Sequence, residues 1–518
     1  QIDMECVHEA GLVKYDILGL KNIEIIKDTY ALIGKPYPKS HEINWNDDAV
    51  WNDMLHSPIG IFQFESAFAF DSLRKFKTHS IYDMSLVTAC IRPSGASYRD
   101  ELLQRKPHHN PSPIIDDLLK DNLGYLIYQE DTIKFLQQIC GLSGSEADNV
   151  RRAIGRKQKD RLEAALPDIL EGYCSKSQPR NIAEEEAKEF LQIIEDSASY
   201  QFGYNHSIGY CMIGYLCAYL RYYYPAEFIT AYLNNANNED DIKNGSALAE
   251  LYGIQIVPPR YGISKDRYVY DKDRNVIAKG INSIKYMNST VANELYDLAK
   301  RSDPKTFMSL LTLMNNETSI DTRQRDILIK IDFFVDFGNV TELSRIASLF
   351  VFFKNGTAKK VQKDKISGQM LDVVSKYATD KNKNGTEAKS FTITDMAGLL
   401  NECESVIKSL HLPDLDLKCK IQNQIELMGY IDLTTNKKED RRKLLITDVF
   451  PLSSKKDNTV WGYAAQTRSI GSGKVSRLTI RSSVYAKTPV KRFDIIYAKE
   501  LEKNRSGYWY LLDYDLIA

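Results

Sequence analysis

The chain has 518 residues, enough for several domains that each bury a core of their own. Its formal net charge is −1, so any nucleic-acid footprint must be local, not global. No apolar run approaches a membrane span and no signal-peptide pattern opens the chain; eight cysteines without a CxxC pair or zinc-type spacing read as reduced thiols. Together these predict a soluble cytoplasmic protein with no membrane partner, and a first residue Gln1 in place of Met predicts a processed chain, a piece of a longer one or a start in mid-sequence.

In chain order, Gly11-Leu-Val-Lys-Tyr-Asp-Ile-Leu-Gly-Leu20 comes first. Val13 and Tyr15 alternate with Lys14 and Asp16, which predicts a strand ending near Gly19; Leu20, Ile23, Ile26 and Tyr30 then predict an amphipathic helix. A carboxylate at a strand end suits a metal ligand, while the plain alternative is a surface Asp16 paired with Lys14. Residues 34–53 read as an irregular connection, and Gly60-Ile-Phe-Gln-Phe-Glu65 as a short alternating run. Residues 116–233 are the most helical stretch, with Pro167, Pro179 and Pro225 as breakers and a helix opening at Tyr128-Gln129-Glu130. Six basic residues lie between Arg151 and Arg161, among them Arg152, Arg156 and Lys157. Such a cluster suits a triphosphate or a nucleic-acid backbone, and equally a solvated face. In Tyr200-Gln-Phe-Gly-Tyr-Asn-His-Ser-Ile-Gly-Tyr210, His206 and the tyrosines suit stacking on a base or reaching a phosphate, or simply helix packing by Tyr204, Tyr210, Tyr215 and Tyr219.

Strand-like pieces follow around Ile254-Gln-Ile-Val-Pro-Pro-Arg260, then helices from Ala278-Lys-Gly-Ile-Asn-Ser-Ile-Lys285 to Phe337. Residues 354–389 are rich in Lys, Asn, Asp, Gly and Thr and read as a surface excursion or linker. From about residue 420 the pattern alternates in short runs (425–433, 444–450, 460–467, 475–480, 493–498 and 508–513), which predicts a small barrel. From Lys437 onward there are 17 Lys and Arg against 9 Asp and Glu, interleaved with Trp461, Tyr463, Tyr485, Tyr497 and Trp509. Cations among rings suit single-stranded nucleic acid, although rings also build small β cores.

These motifs, in this order, resemble the C family of DNA polymerases, the bacterial replicative DNA polymerase III alpha subunits. The opening stretch is similar to that family's palm segment Gly-Leu-Val-Lys-Phe-Asp-Phe-Leu-Gly-Leu. Leu86-Val-Thr-Ala-Cys-Ile-Arg-Pro-Ser-Gly95 resembles its Arg-Pro-Gly-Pro segment, residues 151–157 resemble Arg-Arg-Ala-Met-Gly-Lys-Lys, and residues 200–228 resemble Gly-Tyr-x-Phe-Asn-Lys-Ser-His-Ser through His-Tyr-Pro-Ala-Glu-Phe. The resemblance implies a multidomain α+β chain: part of a palm at 1–55, mainly helical fingers at 56–270, a helix-hairpin-helix-like domain with a polar linker at 271–415 and an OB-fold-like barrel at 416–518. It implies template-directed nucleotidyl transfer from a dNTP to a primer 3′-hydroxyl. Asp16 takes the position of a catalytic metal ligand with Lys14 beside it, in a two-metal Mg²⁺ site whose other acids, a Pro-Asp-x-Asp motif, do not precede residue 11. Arg151, Arg152, Arg156, Lys157, Asn205, His206 and Tyr210 are implied to bind dNTP. Gly280, Lys285, Trp461, Tyr463, Arg468, Lys474, Arg477 and Arg481 are implied to meet nucleic acid, although the second glycine of the hairpin turn is replaced near Tyr286 and Met287. Expected partners are primer-template DNA, dNTP, a second chain carrying the rest of the palm, and a sliding clamp, for which Gln369-Met-Leu-Asp-Val is a poor match. The setting implied is a bacterial or phage-infected cell. The rival reading is a non-catalytic nucleic-acid-binding scaffold derived from such a polymerase.

Overall fold

A computed structural model of the chain describes residues 6–7, 10–12, 19–177, 179–198, 201–381, 386–432, 438–454 and 459–517. Lys14 and Asp16, with the strand expected around them, lie outside these residues. The architecture is multidomain α+β, and the chain divides into two compact units, residues 1–254 and 255–518.

Unit 1 is helical. Helix α1 (Lys21–Ile33) buries Ile25, Ile26 and Tyr30, and Gly34 at φ 70° closes it in the left-handed conformation that glycine tolerates. Of the expected stripe, Ile26 and Tyr30 are buried, but Ile23 is 43% exposed and Ile25 takes the inward place. Within the connection expected to be irregular, Asp47 accepts from the backbone N–H groups of Ala49 and Val50 and starts α2 (Asp48–Met54), which buries Val50, Trp51 and Met54. Residues 60–65 form turns; Ile61 and Phe64 are buried three residues apart, so the alternating run is not a strand. Next come α3 (Ala67–Phe76) and α4 (Ile81–Cys90). Helix α4 is buried from Asp83 to Cys90 and forms the centre of the unit, which is why its sequence is apolar on every side. It packs along the helix at Tyr204–Tyr223 through a Ser85 to Ser207 hydrogen bond of 2.7 Å that Tyr128 also joins.

Helix α5 (Arg99–Leu103) adds Leu102 and Leu103 to the core around α4, and a second cluster covers α6 (Pro113–Leu118), α7 (Gln129–Lys134) with a π-turn at Phe135–Ile139, α8 (Gly144–Gly155), α9 (Lys159–Lys176) and α10 (Arg180–Ser197). Its core is Phe135, Leu136, Ile139, Val150, Ile154, Ile169, Tyr173 and Phe190. Pro167 does not break the chain here; it lies inside α9. Helix α11 (Tyr204–Tyr223), α12 (Pro225–Asn234) and α13 (Glu239–Leu251) close the unit. The Arg221 guanidinium is fully buried, yet it donates to the carbonyls of Asp53, Ser57 and Ile59 and to the Asp53 carboxylate, so its charge is compensated.

Unit 2 opens with β1 (Gln255–Val257), β2 (Val269–Asp271) and β3 (Val276–Ala278), in spatial order β1-β3-β2. Residues 255–270, expected to end the fingers, thus pair with 276–278 in one sheet. Four helices follow: α14 (Ser289–Arg301), α15 (Phe307–Glu317), α16 (Thr322–Lys330) and α17 (Val340–Phe352). The stretch expected to be a surface excursion or a linker contains β4 (Lys360–Gln362), α18 (Gln369–Lys376), β5 (Ala378–Lys381) and the start of β6 (Glu387–Ile393), with sheet order β4-β6-β5. Beyond α19 (Met396–Ser409), α20 (Leu417–Met428) occupies the start of the expected strand at 425–433, because Ile421, Gln424, Leu427 and Met428 recur at helical spacing behind the Asp416 cap. The C-terminal strands β7 (Lys443–Ser453), β8 (Val460–Ser469), β9 (Val475–Arg481), β10 (Ile495–Lys503) and β11 (Trp509–Leu516) form a closed barrel in the order β10-β11-β9-β8-β7. Helix α21 (Ser482–Tyr485) follows β9.

Candidate functional site

In unit 1 the basic run straddles a helix end. Ser143 caps α8, which terminates at Gly155; Arg156 takes the C-cap, and Lys157 at φ 55° turns the chain into α9. Arg151 is three-quarters buried by its side chain and donates twice to Asp148 and once to the Gln129 Oε1, at 3.1 Å. Arg152 reaches the other oxygen of the same carboxylate at 2.8 Å. The hydrogen bond from Arg151, and then the charges of both arginines, hold the Asp148 carboxyl below the usual carboxylate range. One acid therefore orients two guanidinium groups without neutralising both. Arg156 and Lys157 are exposed beside them.

Gln129 links this cluster to the start of α11. Its side-chain amide donates to the Gln201 carbonyl and its backbone N–H to the Phe202 carbonyl, while Phe202 donates back to Ile127. Glu130 accepts from the N–H of Tyr204 and so satisfies one of the free amides at the head of α11. The Phe202 ring stands edge-on to His206, and His206 edge-on to Tyr210 at 4.1 Å between centroids; Tyr210 in turn meets Phe62. Burial, with the nearby Arg92 charge, lowers the pKa of His206. Of the residues expected to bind dNTP, Arg151, His206 and Tyr210 thus join one continuous constellation, and Asn205 is exposed at the head of α11. Arg92 is the residue sequence reading missed. Its guanidinium lies 3.7 Å over the Phe202 ring and is exposed. Its signal was present in Arg92-Pro-Ser-Gly95, a segment read only for its resemblance to Arg-Pro-Gly-Pro.

In unit 2, Gly280 is buried. A Cβ there would run into the backbone of Asp266 and Arg267, so this glycine serves close chain packing. Lys285 is exposed and flanks a groove with Tyr286, Thr322, Arg323 and Lys330, where the Arg323 guanidinium covers the Tyr286 ring at 3.4 Å. On the barrel, strand register sorts the remaining residues. Tyr463 pairs with Ile480 and stacks on Tyr485 at 3.7 Å, which places it toward the mouth of the core. Arg468 is half-buried, its Nε has no hydrogen-bond partner among the described residues, and burial lowers its pKa while Asp432 offsets part of that effect. Lys474 and Trp461 are exposed. Arg477 and Arg481 sit on the outer face opposite Gln466 and Gly462; Arg477 lies over Phe450 and Arg481 over Tyr510. Phe450 and Tyr510 were not singled out by sequence, because only the pairing of distant strands brings them beside those arginines.

Among the described residues no group of three or more His, Cys, Asp or Glu stands together to hold a metal ion, and no helix is long and apolar enough to cross a membrane.

Residues 22–177 match the family model of the bacterial DNA polymerase III alpha subunit finger domain. The chain is 27% identical over 384 residues to the DNA polymerase III subunit alpha of Treponema pallidum, covering 72% of this chain and 32% of that protein. It is 30% identical over 341 residues to the Aquifex aeolicus subunit alpha (64% and 28%) and 28% identical over 309 residues to the Bacillus subtilis one (58% and 27%). The chain thus spans about a third or less of the length of these curated relatives. The residues matched by the finger-domain model lie in unit 1, and the chain is similar to C-family DNA polymerase III alpha subunits over more than half of its length.

Proposed function

We propose that the chain is the fingers-bearing part of a DNA-directed DNA polymerase, acting on primer-template DNA and dNTP in the cytoplasm. What carries this reading is the constellation in unit 1: two arginines oriented by Asp148 and tied through Gln129 to the His206 face of α11. Arg151 and Arg152, with Arg156 and Lys157 at the following turn, offer several charge-assisted donors to a triphosphate, and Arg92, Phe202, His206 and Tyr210 offer a cationic, ring-lined wall for the rest of the nucleotide. Because Asp148 already fixes the guanidinium planes, little side-chain entropy remains to be lost when phosphate arrives. Asp16 takes the part of one metal-holding acid in a larger acidic set. Two Mg²⁺ ions would neutralise charge on the attacking and leaving oxygens there. On the outer barrel face, Arg477, Arg481, Phe450 and Tyr510 follow the single-stranded template, cations on phosphates and rings under bases.

The test is a split between nucleotide and DNA. In single-nucleotide primer extension, Arg151→Ala with Arg152→Ala is expected to raise the KM for dNTP by about ten- to a hundredfold, the worth of one or two charge-assisted bonds, and to leave duplex affinity within about twofold. Loss of duplex affinity with an unchanged KM would move these residues to the DNA backbone and leave the chain closer to the scaffold reading.

A further inference from the structure

The residues from Gln129 to Thr132 do more than start α7. The backbone N–H of Gln129 donates to the Phe202 carbonyl at 3.0 Å, and Tyr128 and Phe202 form a parallel bridge. Glu130 accepts from the N–H of Tyr204 at 2.9 Å. Thr132 exchanges hydrogen bonds of 2.9 and 3.1 Å with the Gln201 side chain. Asp131 accepts instead from the backbone of Ile127 and Tyr128 and from the Asn122 amide, which fastens the turn from behind. Tyr128, Asp131 and Thr132 are buried, so the segment from Gln201 to Tyr204 rests on a fixed base. The Gln129 side chain carries the connection on to α8. Its Oε1 accepts from the Arg151 guanidinium at 3.1 Å, while its Nε2 donates to the Gln201 carbonyl at 3.4 Å. A flipped amide would set NH2 against guanidinium N–H and oxygen against carbonyl oxygen, so a single orientation serves both bonds. Because the amide is planar, a shift at either end turns the bond at the other.

Charge makes the choice of residue specific. Arg151 and Arg152 share the Asp148 carboxylate, which leaves positive charge in excess; a neutral amide holds Arg151 without cancelling it, as a carboxylate in that place would. Beyond Gln201, the Phe202 ring stands edge-on to His206 and carries the Arg92 guanidinium on its face. We infer that Gln129 is a positioning residue that makes the grip on the triphosphate and the wall for the nucleoside one cooperative unit. Phosphate held by Arg151 fixes the amide, the amide fixes the backbone of Gln201 and Phe202, and that backbone sets the Phe202 and His206 rings. This rests on the reading of the unit 1 constellation as the dNTP site.

Double-mutant cycles in single-nucleotide primer extension, by the polymerase assembly that contains this chain, test it. With Gln129 in place, Arg151→Ala and His206→Ala, singly and together, are expected to lower kcat/KM for dNTP non-additively, by a factor of about five or more. In Gln129→Met, which fills similar space and makes neither bond, the two losses are expected to multiply to within about twofold. Gln129→Glu keeps the acceptor and loses the donor, so it should abolish the coupling too, and it carries the test if the methionine variant does not fold. A residue with a merely structural role would lower kcat/KM alike in every background and leave the coupling in place, and that result overturns the inference. Strict additivity with Gln129 in place overturns it as well and leaves the nucleotide reading intact. If neither Arg151→Ala nor His206→Ala alone changes kcat/KM for dNTP, the nucleotide site falls and the inference with it.

Discussion

Gln129 shows what a single residue does that its type does not announce. A glutamine at the head of a helix is unremarkable in sequence, and the link from Arg151 to the backbone before α11 appears only when segments about seventy positions apart meet. The basic residues were legible because charge clusters are local, whereas Gln129 and the Arg92 cation on Phe202 are products of the fold. Asp131, two residues on, makes a prediction of a different kind. It accepts from the backbone N–H groups of Tyr128 and Ile127 and from Asn122, yet burial outweighs these bonds and pushes its carboxyl up to about 6. A carboxyl raised in the folded state holds its proton after the unfolded chain has lost it. Its contribution to stability is therefore full below about pH 4 and falls as pH rises through about 6. The difference in urea-unfolding free energy between the wild type and Asp131→Asn is expected to shrink by up to about 3 kcal/mol from pH 4 to pH 7. A difference that grows over that interval would mean that the bonded carboxylate, not the acid, is the favoured form.

At the scale of elements, sequence periodicity located helices better than it oriented them. In α1 the apolar residues Ile23, Ile25 and Ile26 crowd one region, and only packing decides that Ile23 faces out. At 425–433 the first four residues of an apolar run of strand-like length were the end of α20, because short apolar runs do not distinguish the two periods. The barrel was legible as a set of strands; its outer row was not, since Phe450, Arg477 and Tyr510 lie on three strands. Close helix packing gives a sharp test. Gly172 in α9 faces the π-turn, where a Cβ would run into the Cys140 carbonyl. Because backbone must shift to admit even a methyl group, Gly172→Ala should destabilise unit 1 by about 2–4 kcal/mol, in spite of the better helix propensity of alanine. A thermal midpoint at or above that of the wild type would show that the π-turn yields.

For the whole molecule, order along the chain was the most informative signal: palm-like, fingers and barrel motifs in sequence are together more specific than any one of them. The finger-domain match at 22–177 and the similarity to subunit alpha proteins agree with that order. The partition into units follows sheet pairing, which sequence does not display, and so the cut falls after Ile254. The account stands or falls on whether these units serve nucleotidyl transfer. Primer extension by the polymerase assembly that contains this chain, with and without Asp16→Ala and at matched DNA occupancy, tests that most directly. The account predicts a loss of the extension rate on the order of a hundredfold or more with primer-template affinity retained, and an assembly that extends primers at the wild-type rate without this carboxylate would contradict it.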